Sequence, residues 1–307
     1  MSVLFPLLGV IGAGLAWQRF SPGGVSAGDL RRHLNALMLY LLVPALVFHV
    51  MVQAPLDRQL LAVVSGGWIT IGFSGLLAWG LHVLLARYSS LSRATRGALI
   101  LAAIFGNGLG AALPLVHQLY AGRQDEVALG FDLLATIPVS WTLGVYIAIR
   151  FGREGASSTS PFRQILSLPP IWAVTLALTL NALDLQPPPV IMETLEGLSQ
   201  AALPLMLLTL GLALDFRPHA AWRWMVIPIL IRLLGGLLLG VLFGLLVGLP
   251  AEEHRAFIWV CAAPPIMMGI LFCDRFGLDT SAFALTMSGG VLVYLLVLPL
   301  LISMLPL

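Results

Sequence analysis

Lysine is missing altogether: all 16 basic residues of this 307-residue chain are arginine. Charge of either sign is scarce, at 10% of residues, where soluble domains carry roughly 25%. Hydrophobic residues make up 59% and the mean hydropathy is +0.97, the balance of an integral membrane protein. The apolar runs are long, not short and alternating, which excludes a β-barrel. No basic block occurs and the net charge is only +2, so no nucleic-acid partner is expected. Cysteine occurs twice, as Cys261 and Cys273, on one predicted helix. Their spacing corresponds to about 18 Å at helical rise, too far to bridge, and no disulfide framework exists. No Gly-x-x-x-x-Gly-Lys-Ser/Thr loop is present, so coupling to a bound nucleotide is excluded. The six histidines lack paired ligand spacing, and Glu252-Glu253-His254-Arg255 lacks the second histidine of a zinc protease. No metal and no cofactor is expected.

What is there is a series of ten apolar segments, roughly 2–20, 33–53, 60–86, 96–121, 127–151, 168–184, 194–214, 222–248, 254–276 and 281–305. The first has the length of a signal peptide, but nothing basic precedes it and Arg19 follows, so it reads as a retained helix. The one long polar connection, 152–164, reads as a flexible linker between two five-helix halves, 1–151 and 165–307. Twelve arginines fall in the loops on the linker's side, against Arg58, Arg123 and Arg255 on the other. The positive-inside rule then places the linker in the cytoplasm and both termini outside the cell membrane.

Five is odd, so a second copy of the first half would lie upside down. Both halves carry a proline in the second helix, Pro44 and Pro204, and both break in the fourth. The first break reads Gly106-Asn-Gly-Leu-Gly-Ala-Ala-Leu-Pro114, the second Cys261-Ala-Ala-Pro-Pro-Ile-Met-Met-Gly269. Backbone freed at mid-membrane survives only inside protein or against a watery cavity. Paired interrupted helices in inverted repeats therefore point to a transport site.

The landmarks resemble one family. Leu34-Asn35 through Tyr40 to Pro44-Ala-Leu-Val-Phe48 is similar to the second-helix signature of the auxin efflux carriers. Gly106-Asn107 with Leu113-Pro114-Leu115 resembles their fourth-helix motif. Pro169-Pro170, Ala201 to Leu205 with Leu210-Gly211, and Asp274-Arg275-Phe276-Gly277 resemble motifs of the sixth, seventh and ninth helices. The resemblance implies an all-α, ten-helix fold with helices 4 and 9 crossing at their breaks. It implies a scaffold of helices 1, 2, 6 and 7, a transport domain of helices 3–5 and 8–10, and a homodimer. In one respect the chain departs: Met267 and Met268 stand where the family commonly has Thr and Asn. Soft methionines there suit a less polar substrate. The acid and amide cluster by which bile-acid symporters hold sodium is not apparent.

The expected function is elevator-like secondary transport of a small organic anion of carboxylate type, coupled to protons or driven by membrane potential. Alternatives from other classes are a ligand sensor of transporter fold and an intramembrane lipid-modifying enzyme. The latter would need acids, histidines or a Ser/Lys pair at one depth, and none is found. Candidate substrate contacts are Asn107, Gly108, Pro114, Pro264, Pro265, Met267 and Met268 at the breaks, with Asn35 and Tyr40 on the second helix. Asn107 serves either a core hydrogen bond or the substrate, and the prolines act through the breaks they create. Arg232 lies roughly 13–15 Å inside the eighth segment at helical rise. It either snorkels or pairs with Asp132, or it anchors the anion. Asp132, about one turn inside the fifth segment, is either solvated at the interface or a proton-coupling carboxylate. Gly235, Gly236, Gly240 and Gly244 offer a small-residue face for close helix packing.

The topology is testable. A cysteine replacing Ser158 is expected to resist a membrane-impermeant thiol reagent on right-side-out cells and to react after permeabilisation. Labelling of intact cells would reverse the orientation.

Overall fold

A computed structural model describes residues 4–152, 166, 168–217 and 219–303. The linker at 152–164 lies outside them except for Gly152. The described residues are helical, in the order α1 Leu4–Phe20, α2 Ala27–Met51, α3 Arg58–Tyr88, α4 Arg93–Ile104, α5 at 108–120 and α6 Asp125–Phe151. There follow α7 Pro169–Ala182, α8 Pro189–Ala213, α9 Trp222–Val247, α10 Ala251–Cys261, α11 Met268–Phe276 and α12 Thr280–Ser303. Among the described residues, α2, α3, α6, α8, α9 and the 280–297 part of α12 are long and apolar enough to cross a membrane. Of the other four expected crossings, α1 has 17 residues, α7 has 14, and the remaining two are the interrupted pairs α4/α5 and α10/α11. Cys261 and Cys273 consequently sit on different half-helices, not one helix, and both are free and buried.

Local chemistry sets these boundaries. Asp57 opens α3 by accepting hydrogen bonds from the Gln59 and Leu60 amides at 2.8 and 3.0 Å. Ser92 opens α4 in the same manner from Thr95. Three helices widen by one residue just before a proline. The amides of Val43, Leu113 and Ile137 reach back five residues, to Met38, Gly108 and Asp132, ahead of Pro44, Pro114 and Pro138. Proline has no N–H and its ring crowds the carbonyl four residues back, so the preceding turn relaxes into a wider one.

Packing follows the small residues. The backbones of α1 and α8 touch: a side chain at Gly211 would begin 2.1 Å from the Ile11 carbonyl oxygen. Against α2 lies α7, whose Asn181 amide donates to the Met51 and Ala54 carbonyls at the end of that helix. Separately, α3 packs on α4 and α6, and α12 on α4 and α9. Of the glycine face on α9, Gly236, Gly240 and Gly244 meet α10 directly, while Gly235 faces elsewhere. His254, on α10 and not in a loop, fills the space over Gly244 and turns its Nε2 to the Gly240 and Val241 carbonyls.

The two breaks meet. Gly106 and Pro265 form an isolated antiparallel bridge, with Asn107 N donating to the Pro264 carbonyl at 2.7 Å and Ile266 N to that of Phe105 at 2.9 Å. The half-helices ending here leave further carbonyls without intrahelical donors. Arg232 supplies them. It lies one turn before Gly236 on the same face of α9, so it continues the glycine line past the end of α10. Its Nε donates to Ala263 O at 3.0 Å, Nη2 to Cys261 O at 2.9 Å, and Nη1 to Ile104 O at 3.2 Å. Tyr294 of α12 caps a further carbonyl, that of Trp259, at 3.0 Å. Gly106 leaves room for the guanidinium, since a Cβ there would lie 2.1 Å from Nη2.

Of the sequence readings of Arg232, snorkelling fails because the residue is only 2% exposed. No direct ion pair joins it to Asp132 among the described residues. Each guanidinium nitrogen instead caps a helix end. Removing the side chain would orphan buried acceptors at about 1–3 kcal/mol each. Arg232→Gln is therefore expected to lower the thermal midpoint in detergent by several degrees without any substrate present. Melting together with the parent would exclude the capping role.

Candidate functional site

The crossover forms one end of a cavity of about 610 Å³. Four groups of elements wall it: the α4–α5 and α10–α11 breaks, α2, α6 through Asp132 and Ile137, and α8 with the start of α7. Its mouth lies among Gly28, Arg31 and Arg32 at the start of α2 and Asp274 on α11, on the side where the arginines collect.

Asn107 caps α5. Its Oδ1 accepts from the Gly110 amide at 3.1 Å, and its own carbonyl accepts from Ala111 and Ala112. That leaves Nδ2, buried and without a protein partner, in a residue 4% exposed that lines the cavity. Asp132 approaches the same helix end from α6. Its Oδ2 accepts from the Leu109 amide at 2.9 Å, while Oδ1 is buried without a partner. At 2% exposure Asp132 is in no interfacial solvent, and it too lines the cavity. The result is one unsatisfied amide donor and one unsatisfied carboxylate oxygen at one helix N-terminus. Buried polar atoms without partners are rare in folded proteins and call for a ligand, a water or an ion.

The sequence candidates divide on this geometry. Asn35, Asn107, Met267 and Met268 line the cavity together with Asp132. Gly108, Pro114, Pro264 and Pro265 are buried behind the wall, where they shape the breaks and do not contact the space. Tyr40 is 68% exposed and outside the lining. Asn35, Leu39 and Val43 face inward at four-residue spacing, and Tyr40 lies one residue round the helix from Leu39. Arg232 stands behind the crossover with its nitrogens engaged. Residues not anticipated are Arg31, Met38, Met206 and Thr209. Arg31 precedes Asn35 by four residues, so helical periodicity applied outward from Asn35 would have found it. Nothing in the sequence singled out Thr209, whose hydroxyl donates to the Leu205 and Met206 carbonyls.

Among the described residues no three His, Cys, Asp or Glu side chains are grouped to hold a metal ion. At the crossover the cavity offers amide donors, the Asp132 carboxylate and thioether walls, with Arg31, Arg32 and Asp274 toward its mouth. Residues 5–302 match the sequence model described as membrane transport protein. The chain belongs to this family, that of the auxin efflux carriers. It is 30% identical over 200 residues to an uncharacterized transporter of Methanothermobacter thermautotrophicus, covering 63% of this chain and 62% of that protein. It is 23% identical over 272 residues to an uncharacterized transporter of Methanocaldococcus jannaschii, covering 85% of each. The family is one of membrane transporters, and the six helices long and apolar enough to cross a membrane agree with that.

Proposed function

We propose that this membrane transport protein is a secondary carrier of a small organic anion of carboxylate type. The substrate binds at the crossover, and a proton travels with it through Asp132. The observation that carries this reading is the adjacent unpartnered pair, Asn107 Nδ2 and Asp132 Oδ1, facing one cavity. An incoming carboxylate finds the amide donor of Asn107 and the positive N-terminal end of α5. It also meets the negative charge of Asp132, which opposes it in a low-dielectric site. Protonation of Asp132 removes the repulsion and turns Oδ1 into a donor, so substrate and proton load together. Met267 and Met268 give the other wall an apolar, adaptable surface.

The architecture supports alternating access of elevator type. Each half reads as a shorter helix, two long ones, an interrupted pair and a long one, as an inverted repeat of two five-helix units requires. In this reading α1, α2, α7 and α8 are the scaffold, and α3–α6 with α9–α12 carry the site past it. The cavity faces the arginine-rich side, which the positive-inside rule makes cytoplasmic, with both termini outside the cell membrane and two copies forming a dimer.

The experiment is uptake of labelled carboxylates into proteoliposomes under an imposed pH gradient. Asn107→Ala is expected to weaken substrate binding roughly 10- to 150-fold, the value of one charge-assisted hydrogen bond of about 1.5–3 kcal/mol. Asp132→Asn mimics the protonated acid. It is expected to keep substrate exchange while losing acceleration by the pH gradient. Met268→Asn is expected to shift preference toward smaller, more polar anions. Parental binding in Asn107→Ala, or an intact pH response in Asp132→Asn, would remove these roles.

A further inference from the structure

A second space, of about 730 Å³, opens between α3, α4 and α6 on the outer side of the bundle, away from the crossover cavity. Its chemistry is strongly graded. One end holds Arg93 and Arg96 from the start of α4, Arg150 from the end of α6 and His82 from the last third of α3. No carboxylate lines it. Toward mid-membrane the wall turns wholly apolar, through Leu76, Ile100, Ile104, Leu143 and Ile147. Gly72 and Gly75 have nothing within 4 Å of where a side chain would begin, so the floor on α3 is open and flat.

We propose that this groove binds an anionic phospholipid of the arginine-side leaflet, phosphate among Arg93, Arg96, Arg150 and His82 and one acyl chain along the α3–α4 floor. Three independent observations converge on it. First, Arg96 Nε and His82 Nδ1 are buried atoms without a protein partner, both at the basic end. A phosphate oxygen is an acceptor that fits both. Second, Arg93 donates to the Arg150 main-chain carbonyl, which draws the two basic residues of α4 and α6 to one place. Third, the dimensions match a single leaflet. From Arg96 to Ile104 is eight residues of helix and from Gly72 to His82 is ten, about 12 and 15 Å at helical rise, against half of a ~30 Å hydrocarbon core. Trp79 and Tyr146, 68% and 64% exposed, flank the groove as large amphipathic rings. Basic pockets between spanning helices on the cytoplasmic side recognise anionic headgroups on this principle. The proposal rests on the membrane-spanning reading of the chain and is independent of what the crossover carries.

The test uses the full-length protein in neutral detergent, read by thermal midpoint and by lipid retention in native mass spectrometry. Phosphatidylglycerol is expected to raise the midpoint and stay bound as one copy per chain. Phosphatidylcholine with the same acyl chains, and glycerol phosphate without any, should do neither. The Arg96→Gln, Arg150→Gln double variant should bind phosphatidylglycerol roughly 25-fold more weakly, about five-fold per arginine. Arg223→Gln, on the same side but remote from the groove, should bind it as the parent does. If the double variant fails to fold, Arg150→Gln alone, an exposed position, carries the test at about five-fold. Equal stabilisation by phosphatidylcholine, or an undiminished effect in the glutamine variants, overturns the assignment. A full shift from glycerol phosphate alone overturns it in favour of a soluble-anion site.

Discussion

A guanidinium turned entirely inward holds this molecule's centre in place. Interrupting two helices in the membrane frees main-chain carbonyls that lipid cannot satisfy. Arg232 answers three of them at once, from both interrupted pairs, so one side chain on α9 fixes the relative position of α4 and α10. Burying an unpaired charge in hydrocarbon is costly. Here it is tolerable because every guanidinium nitrogen meets an acceptor, and carbonyl oxygens at helix C-termini carry partial negative charge. The glycine line on α9 is the precondition. Only where Gly236, Gly240 and Gly244 bring the α9 and α10 backbones together can the arginine reach the end of α10.

With the carbonyls capped behind the crossover, the opposite helix ends are left to face the cavity. The two kinds of helix end are treated differently. C-terminal ends are sealed by arginine and tyrosine from neighbouring helices. The N-terminal end of α5 is only half sealed, by Asn107 and Asp132, each using one polar atom on the helix and leaving the other buried without a partner. The thioether side chains of Met267 and Met268 make the opposite wall apolar, so the unpartnered polar atoms lie on the α5 side.

Much of this was legible before any coordinates, for a physical reason. Pro114, Pro264, Pro265 and the neighbouring glycines interrupt a helix whatever surrounds them, so the breaks, with Asn107 at the first of them, could be read locally. The role of Arg232 could not. Its position inside an apolar segment marked it out, but whether it faced substrate or main chain depended on α4 and α10 meeting, through residues as distant in the chain as Gly106 and Pro265. Asp132 was similar: distance from a helix end suggested solvent, while the tilt of α6 against the α5 terminus buried it. Tyr40 failed for a simpler reason. Motif membership marked it, and helical periodicity turns it away from the cavity that Asn35 and Leu39 face.

The close fit of Gly106 against Arg232 has a consequence for how such sequences drift. Position 106 cannot gain a side chain while Arg232 keeps its place, because a methyl group there would lie 2.1 Å from Nη2. A shorter side chain at 232 would free that space while stranding the carbonyls. The two sites, far apart in the chain, are therefore coupled through packing. A residue larger than glycine at 106 would require a shorter side chain at 232, and the crossover would then need a different donor for its carbonyls.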